Sequence, residues 1–224
     1  LASSAASDVY KRQYAKRALD VGLSFGGLLV LSPVYAAIAL AIKIEDPGPV
    51  LFTQKRLGKN KEYFKLHKFR SMKVSTPHDV PTHQLDNPDQ YITKVGKFIR
   101  AHSLDELPQI WDIFVGNMSI IGPRPGLWNQ DLLTAERDKY GANDVKPGLT
   151  GWAQINGRNA TGWDERLQQD VYYVDHCSLF LDCKIILRTV LKVVKRSDVL
   201  VGKQIPAGRL DVSRKNRLDL NGVK

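Results

Sequence analysis

A long apolar run near the start of the chain dominates its hydrophobic pattern. Residues 21–42 carry no charged side chain, and a helix of this length reaches about 33 Å, enough to span a bilayer. Ser32-Pro33 lies near the middle of the run, where a proline removes a backbone hydrogen bond and bends a helix. Basic residues flank the run on both sides, and the positive-inside rule places both flanks in the cytoplasm. The pattern predicts a re-entrant membrane helix over residues 14–44, with a straight but kinked spanning helix as the alternative.

Shorter elements with other periods follow the apolar run. Residues 50–53 predict a short strand with a turn over 54–58, and alternating apolar and basic residues over 63–70 predict a half-buried strand. The polar stretch over 74–91 predicts a loop, and residues 149–155 are strand-like. Apolar spacing predicts helices over 95–101, 104–114, 128–140, 164–176 and 179–196.

Three of these helices allow more detailed predictions. Ser103 and Glu106 have the spacing of a capping box, which would start a helix at residue 104. Its apolar face, predicted to be core, consists of Leu107, Ile110, Trp111 and Phe114. The helix over 128–140 should place Arg137 on its solvated side. The last helix carries Lys184, Arg188 and Lys192 on one face and apolar residues on the other, which is typical of a helix lying in a membrane surface or of an ordinary surface helix.

Composition and charge narrow the functional classes. The chain has 224 residues and a formal charge of +10, a balance that suits nucleic acid, anionic membrane or phosphorylated substrates. The sequence contains no zinc-finger spacing and no RNA-binding aromatic signature, so we expect no nucleic-acid partner. The two cysteines are too few for a disulfide framework, and the five histidines lack metal-ligand spacing.

Candidate chemistry is concentrated between positions 100 and 125. Asp105 and Glu106 are adjacent carboxylates beside Arg100, and a helix start would keep Asp105 ionised through the positive end of the helix dipole. In the loop Gly122-Pro123-Arg124-Pro125 each proline fixes its own φ and restricts the preceding residue, so Arg124 is held rigidly. A guanidinium held in this way suits a forked contact with phosphate. Although adjacent acids are usually solvated surface, this combination indicates chemistry on a phosphate ester.

Three long motifs occur in one order along the chain. They read Ser-Leu-Asp-Glu-Leu-Pro-Gln (103–109), Gly-Asn-Met-Ser-Ile-Ile-Gly-Pro-Arg-Pro (116–125) and Lys-Pro-Gly-Leu-Thr-Gly-Trp-Ala-Gln-Ile-Asn-Gly-Arg (146–158). Together they resemble the bacterial sugar transferase family, the small monotopic phosphoglycosyl transferases. The resemblance extends from about residue 16 to residue 196.

The resemblance implies an enzyme acting on a membrane lipid. Such an enzyme moves a phosphosugar from a UDP-sugar to a polyprenol phosphate such as undecaprenyl phosphate and releases UMP, as the first membrane step of glycoconjugate assembly. It implies that Asp105 is a nucleophile forming an aspartyl-phosphosugar, that Glu106 is also catalytic, and that both are ligands of Mg²⁺. It also implies substrate contact for Lys68, Arg70, Arg100, Pro123, Arg124, Pro125, Asp170 and Asp182; the last two serve either in substrate positioning or in supporting hydrogen bonds.

These observations define an expected architecture. The fold class is α+β, mostly helical: a monotopic membrane protein with a re-entrant N-terminal helix, interfacial amphipathic helices and short β elements. We expect residues 1–13 to be a flexible lead or a cloning remnant, residues 45–200 to form a catalytic domain, and residues 201–224 to be a loose tail. The expected location is the cytoplasmic face of the bacterial inner membrane, and a homo-oligomer is left open.

Two other functions remain open from the sequence. A membrane-bound glycosyltransferase would attack the sugar carbon and release UDP instead of UMP. A non-enzymatic basic membrane anchor would need only the charge and the amphipathic helix, but it would leave the Asp-Glu pair and the proline loop unexplained. The sequence does not identify the sugar.

Overall fold

The computed structural model describes residues 2–77, 87–157 and 163–195. The predicted tail over 201–224 and the middle of the predicted loop over 74–91 lie outside these residues.

The N-terminal part consists of two helices, α1 (Ala2–Val30) and α2 (Ser32–Glu45), joined by a bend of 59°. The predicted break at Ser32-Pro33 is confirmed: Pro33 lies in the first turn of α2, where a missing N–H disrupts no intrahelical bond. Residues 2–13, expected to be a flexible lead or a cloning remnant, have helical backbone that is continuous with the rest of α1. Within the described residues no single helix is long and apolar enough to cross a membrane, whereas the bent pair together meets that length and composition.

An antiparallel hairpin follows, formed by β1 (Leu51–Leu57) and β2 (Tyr63–Phe69). The ladder pairs Leu51 with Phe69 and Leu57 with Tyr63, and the connecting turn contains Asn60 at φ 54°. The prediction of β2 is confirmed. The predicted turn over 54–58 is wrong, because pairing with β2 keeps residues 54–57 in the strand.

The remaining elements alternate short strands with helices. They are α3 (Lys94–Ala101), α4 (Gln109–Val115), β3 (Ser119–Ile121), α5 (Asp131–Asp138), β4 (Gly148–Thr150), α6 (Trp152–Gly157), α7 (Trp163–Asp175) and α8 (Leu179–Lys195). Strands β3 and β4 pair in parallel, with Ser119 opposite Gly148 and Ile121 opposite Thr150. The predicted strand over 149–155 is therefore largely wrong, since the ladder with β3 ends at Thr150 and the chain turns into α6.

Three apolar clusters form the core, and they show which faces are buried. One is formed by β3, α6, α7 and α8, one by α2, β2 and α3, and one by β2, α4 and the residues before β3. The predicted core face of the helix over 104–114 is wrong for Trp111, which is 49% exposed, because the residues of α4 that turn inward are Gln109, Asp112 and Ile113. Trp111 lies beside Phe114 at the surface, with ring centroids 5.7 Å apart.

Candidate active site

The Asp105–Glu106 pair lies on a single 3-10 turn, Leu104–Glu106, and not in the first turn of an α-helix. Ser103 has a left-handed backbone (φ 56°) and its side chain makes no capping hydrogen bond to the 3-10 turn, so the predicted capping box is wrong. The reason is Pro108, which has no N–H to donate to Leu104, so the chain uses i→i+3 bonds until α4 begins at Gln109. Leu104 and Leu107 pack into the core, and this anchoring fixes the turn that carries the two carboxylates.

Glu106 binds two cations from distant parts of the chain. Its Oε1 accepts from Lys68 Nζ on β2 and from Arg124 Nη2 in the proline loop, each at 2.9 Å. Its side chain is only 12% exposed. Burial alone would raise the pKa of Glu106, but Arg124 and Lys68 outweigh it, and the net pKa is well below the usual range of a glutamate. Glu106 is therefore a fixed negative charge that orients both cations.

Asp105 has a different environment from its neighbour. Burial raises the pKa of Asp105, an effect that the nearby Lys68 and Arg100 reduce and that the charge of Glu106 increases. Arg100 comes from the last turn of α3 and donates through Nε to Ser71 Oγ at 2.7 Å. A half-buried carboxylate that interacts electrostatically with Lys68 and Arg100 is a candidate nucleophile.

Close backbone contact holds the second and third sequence motifs together. Gly148 N donates to Pro123 O, and Gly122 N donates to Thr150 O, each at 2.9 Å. A Cβ at Gly148 would lie 2.0 Å from the Gly122 nitrogen, so only glycine permits this approach. The arrangement fixes the loop of Pro123, Arg124 and Pro125 over β3 and β4.

Sequence reasoning missed Arg56, a second guanidinium in the same cluster. Its Nη1 donates to Pro125 O at 3.2 Å and its Nη2 to Gln54 Oε1 at 2.7 Å, while its Nε is buried without a hydrogen-bond partner in the described part of the chain. Burial first, and the charge of Arg124 second, lower the pKa of Arg56 to about 10. If residues 54–57 are read as strand, Arg56 lies opposite Phe64. Phe64 and Lys68 are four residues apart on β2 and share one face of the hairpin, so Arg56 lies on the same face as Lys68.

Arg137 is a second residue of the candidate site that sequence reasoning missed, and its predicted solvated position is wrong. It is 5% exposed and forms an ion pair with Asp170 of α7, which is 2% exposed. The other guanidinium nitrogen, Nη1, donates to the backbone oxygen of Arg124 at 3.0 Å. Burial raises the pKa of Asp170 although Arg137 and the nearby Arg166 oppose this. The buried pair therefore holds the backbone of the proline loop in place through the hydrogen bond to Arg124.

Two predicted site residues are engaged elsewhere. Arg70 forms an ion pair with Asp46 at the end of α2. Asp182 on α8 accepts from Lys16 Nζ at 2.7 Å and from the Tyr173 hydroxyl at 2.9 Å. These contacts fix α2 and α1 to the rest of the fold, and substrate contact by Arg70 or Asp182 stays a prediction.

Magnesium coordination by Asp105 and Glu106 stays a prediction, and the two carboxylates differ in their existing partners. Over the described ranges no group of three or more histidine, cysteine, aspartate or glutamate side chains could hold a metal ion. Mg²⁺ is commonly held by one or two carboxylates together with substrate phosphates. Asp105 fits that role, whereas Glu106 already binds Lys68 and Arg124.

Comparison with known proteins gives a consistent assignment. The family model described as bacterial sugar transferase matches residues 11–196. The chain is 44% identical over 184 residues to the UDP-glucose:undecaprenyl-phosphate glucose-1-phosphate transferase of Escherichia coli, covering 79% of this chain and 39% of that protein. It is 37% identical to the UDP-N-acetylgalactosamine-undecaprenyl-phosphate N-acetylgalactosaminephosphotransferase of Aeromonas hydrophila, covering 81% of this chain and 44% of that protein.

Relatives of similar size also exist. The chain is 38% identical to the uncharacterized sugar transferase EpsL of Bacillus subtilis, covering 87% of this chain and 94% of that protein. It thus spans about two fifths of the Escherichia coli relative and nearly all of the Bacillus one. The chain belongs to the bacterial sugar transferase family.

Proposed function

We propose that this member of the bacterial sugar transferase family transfers a phosphosugar from a UDP-sugar to undecaprenyl phosphate. The observation that carries the proposal is the cluster around the 3-10 turn, in which Lys68, Arg56, Arg100 and Arg124 surround Asp105 and Glu106. The four cations and two carboxylates have a net formal charge of +2, which equals in size the two negative charges of the diphosphate in a UDP-sugar. The names of the relatives in Escherichia coli and Aeromonas hydrophila support the same donor and acceptor classes.

The first step uses Asp105 as the nucleophile. Its carboxylate oxygen attacks the sugar-bearing phosphorus, the phosphorus–oxygen bond to the UMP moiety breaks, and UMP leaves with that electron pair. Arg124, Arg56 and Arg100 stabilise the charge that develops on the phosphate oxygens. Glu106 keeps Lys68 and Arg124 oriented towards this charge. In the second step an oxygen of undecaprenyl phosphate attacks the same phosphorus, and the Asp105 carboxylate is released.

Mg²⁺ belongs to the proposal as a bound cofactor. Asp105 would hold the ion together with the substrate diphosphate, and the ion would supply additional positive charge at the leaving phosphate. The orientation of the arginines, by contrast, depends on the protein alone.

Nucleotide release tests the function directly. Purified protein receives Mg²⁺, undecaprenyl phosphate and each member of a panel of UDP-sugars, and the nucleotide product is identified by chromatography. We expect UMP with one or a few of the sugars. UDP as the product would indicate direct glycosyl transfer, and no nucleotide release with any sugar would favour a non-enzymatic anchor.

We also propose that the bent pair α1–α2 enters the cytoplasmic leaflet of the inner membrane and returns. Many of its large apolar side chains are exposed, among them Leu23, Leu29 and Leu40, each more than half exposed. On α8, Phe180 and Leu187 are exposed in the same way, as expected for a helix at a membrane surface. A lipid-borne acceptor is accessible to an enzyme placed in this manner.

Cysteine labelling tests this topology. Tyr14→Cys and Pro47→Cys, both at exposed positions, are introduced singly after Cys177 and Cys183 have been replaced by serine. We expect membrane-impermeant reagents to label both sites only from the cytoplasmic side. Labelling of either cysteine from the opposite side would rule out re-entry.

A further inference from the structure

The N-terminal helix pair contacts the C-terminal end of α4 and also Leu107, which lies between the Asp105–Glu106 turn and α4. At the C-terminal end, Arg17 of α1 donates through Nη1 to Ile113 O at 2.7 Å and through Nη2 to Phe114 O at 2.8 Å. The last carbonyls of a helix have no intrahelical partner, and a cation there is favourable. Arg17 therefore fixes α4 to α1.

The other helix of the pair binds the segment just before α4, which begins at Gln109. The Tyr35 hydroxyl of α2 donates to Leu107 O at 2.5 Å. Its ring packs against Phe69 of β2, with centroids 5.5 Å apart, and against the cluster that contains Ile38 and Ile42. Leu107 is the residue immediately after Glu106, so this hydrogen bond attaches α2 to the catalytic turn.

These contacts connect the bend between α1 and α2 to the position of the turn. Arg17 and Tyr35 lie on opposite sides of the 59° bend, and the short segment from Leu107 to Phe114 connects the two positions that they bind. The Leu107 oxygen also accepts from Ile110 N at 2.9 Å, so it keeps a partner when the Tyr35 hydroxyl is removed. Loss of that hydroxyl therefore changes the placement of the turn more than it changes overall stability.

We propose that Tyr35 is a positioning residue for Asp105 and Glu106, through which the bent helix pair sets the geometry of the catalytic turn. The proposal rests on the proposed function. It adds that the N-terminal helices contribute to the chemical step itself, besides placing the protein near a lipid acceptor.

Steady-state kinetics of Tyr35→Phe give the first test, because phenylalanine keeps the ring packing and removes only the hydroxyl. We expect kcat for UMP release to fall about tenfold, with KM for the UDP-sugar within about twofold of the original value. Tyr63→Phe is the matched control, since Tyr63 is 55% exposed and lies on the hairpin; its kinetics should not change. An unchanged kcat in Tyr35→Phe would overturn the proposal.

Hydrogen exchange followed by mass spectrometry gives a second test that does not depend on activity. In Tyr35→Phe we expect faster exchange in peptides covering residues 104–111, with unchanged exchange in peptides from α8. Unchanged exchange over 104–111 would contradict the proposal, as would equally faster exchange in every peptide, which indicates general destabilisation. A parent protein that releases no UMP would refute the proposed function, while the exchange data would still decide whether Tyr35 positions the turn.

Discussion

Two ion-pair clusters meet at Arg124, and they differ in exposure and charge balance. Its guanidinium binds Glu106 in the first, called the upper cluster, which consists of Lys68, Arg56, Arg100, Arg124, Asp105 and Glu106. In this cluster the side chain of Arg124 is 38% exposed and that of Lys68 20% exposed, and cations outnumber carboxylates. The backbone oxygen of Arg124 accepts from Arg137 in the lower cluster, where Arg137 and Asp170 are both almost completely buried. The upper cluster is therefore the more accessible to an anion, whereas the charges of the lower one are buried and paired with each other; substrate contact by Asp170 stays a prediction.

On the proposed function, the comparison separates residues that would bind a substrate from residues that hold them in place. A partly exposed cluster with excess positive charge has capacity for an anion. A buried, paired arginine and aspartate contribute little net stability, but removing one partner leaves an uncompensated buried charge. Changes in the upper cluster should therefore reduce activity, and changes in the lower one should first reduce stability.

The largest effect is expected for Asp105→Asn. An amide is a poor nucleophile, so UMP release should fall at least about a thousandfold, on the order of 4 kcal/mol of activation energy. With UDP-sugar and no lipid acceptor, the original protein should release at most one UMP per site and gain the mass of a phosphosugar on a peptide containing residue 105. Asp138→Asn, at an exposed surface pair with Lys61, serves as the control and should keep both signals. Persistent labelling of the Asp105→Asn variant would rule out Asp105 as the nucleophile.

Arg124→Lys should show that the upper cluster needs the planar fork and not charge alone. Lysine keeps the positive charge but loses bidentate contact, so kcat/KM should fall roughly thirtyfold, about 2 kcal/mol, with little change in thermal midpoint. The matched control is Arg188→Lys at an exposed position of α8, which should stay near the original activity. Activity of Arg124→Lys within about threefold of the original would contradict the phosphate-clamp assignment.

Arg137→Met tests the lower cluster. It leaves Asp170 buried without its partner and should destabilise the fold by about 3 kcal/mol, measured as a lower thermal midpoint. The double variant with Asp170→Leu should recover most of that stability, because two apolar side chains fill the same buried space. Its activity should remain low, since nothing then holds the Arg124 backbone oxygen. Full recovery of activity in the double variant would show that Arg137 has no positioning role.

The smallest effect is expected in the pH dependence. Asp105 must be ionised to attack, and burial raises its pKa, so kcat/KM should fall as pH decreases through a value above the ordinary range of an aspartate. Lys68 lowers that pKa, and Lys68→Met should therefore shift the acid limb of the pH profile to higher pH. A limb that stays in place or moves to lower pH would show that Lys68 does not act on the ionisation of Asp105.

Local features explain which predictions from the sequence were confirmed. Proline and serine at 32–33 place the bend, alternation over 63–70 produces β2, and apolar spacing produces α3, α7 and α8 within one or two residues. Motif resemblance and local sequence patterns identified the residues of the upper cluster other than Arg56. Each of these signals lies within a few neighbouring positions, where backbone dihedral restrictions and side-chain periodicity act directly.

The tertiary structure decided what depends on partners far apart in the chain. Pairing with β2 extended β1 and brought Arg56 beside Arg124, and α7 supplied Asp170 to make Arg137 a buried residue. The capping box at Ser103 failed because Pro108 and the core contacts of Leu104 and Leu107 favoured a 3-10 turn. Arg17 and Tyr35 bind backbone oxygens 97 and 72 positions away, and no periodicity in the sequence encodes such contacts. The sequence by itself thus determined the helix bend, several regular elements and the family, whereas packing determined which charges meet and how the catalytic turn is held.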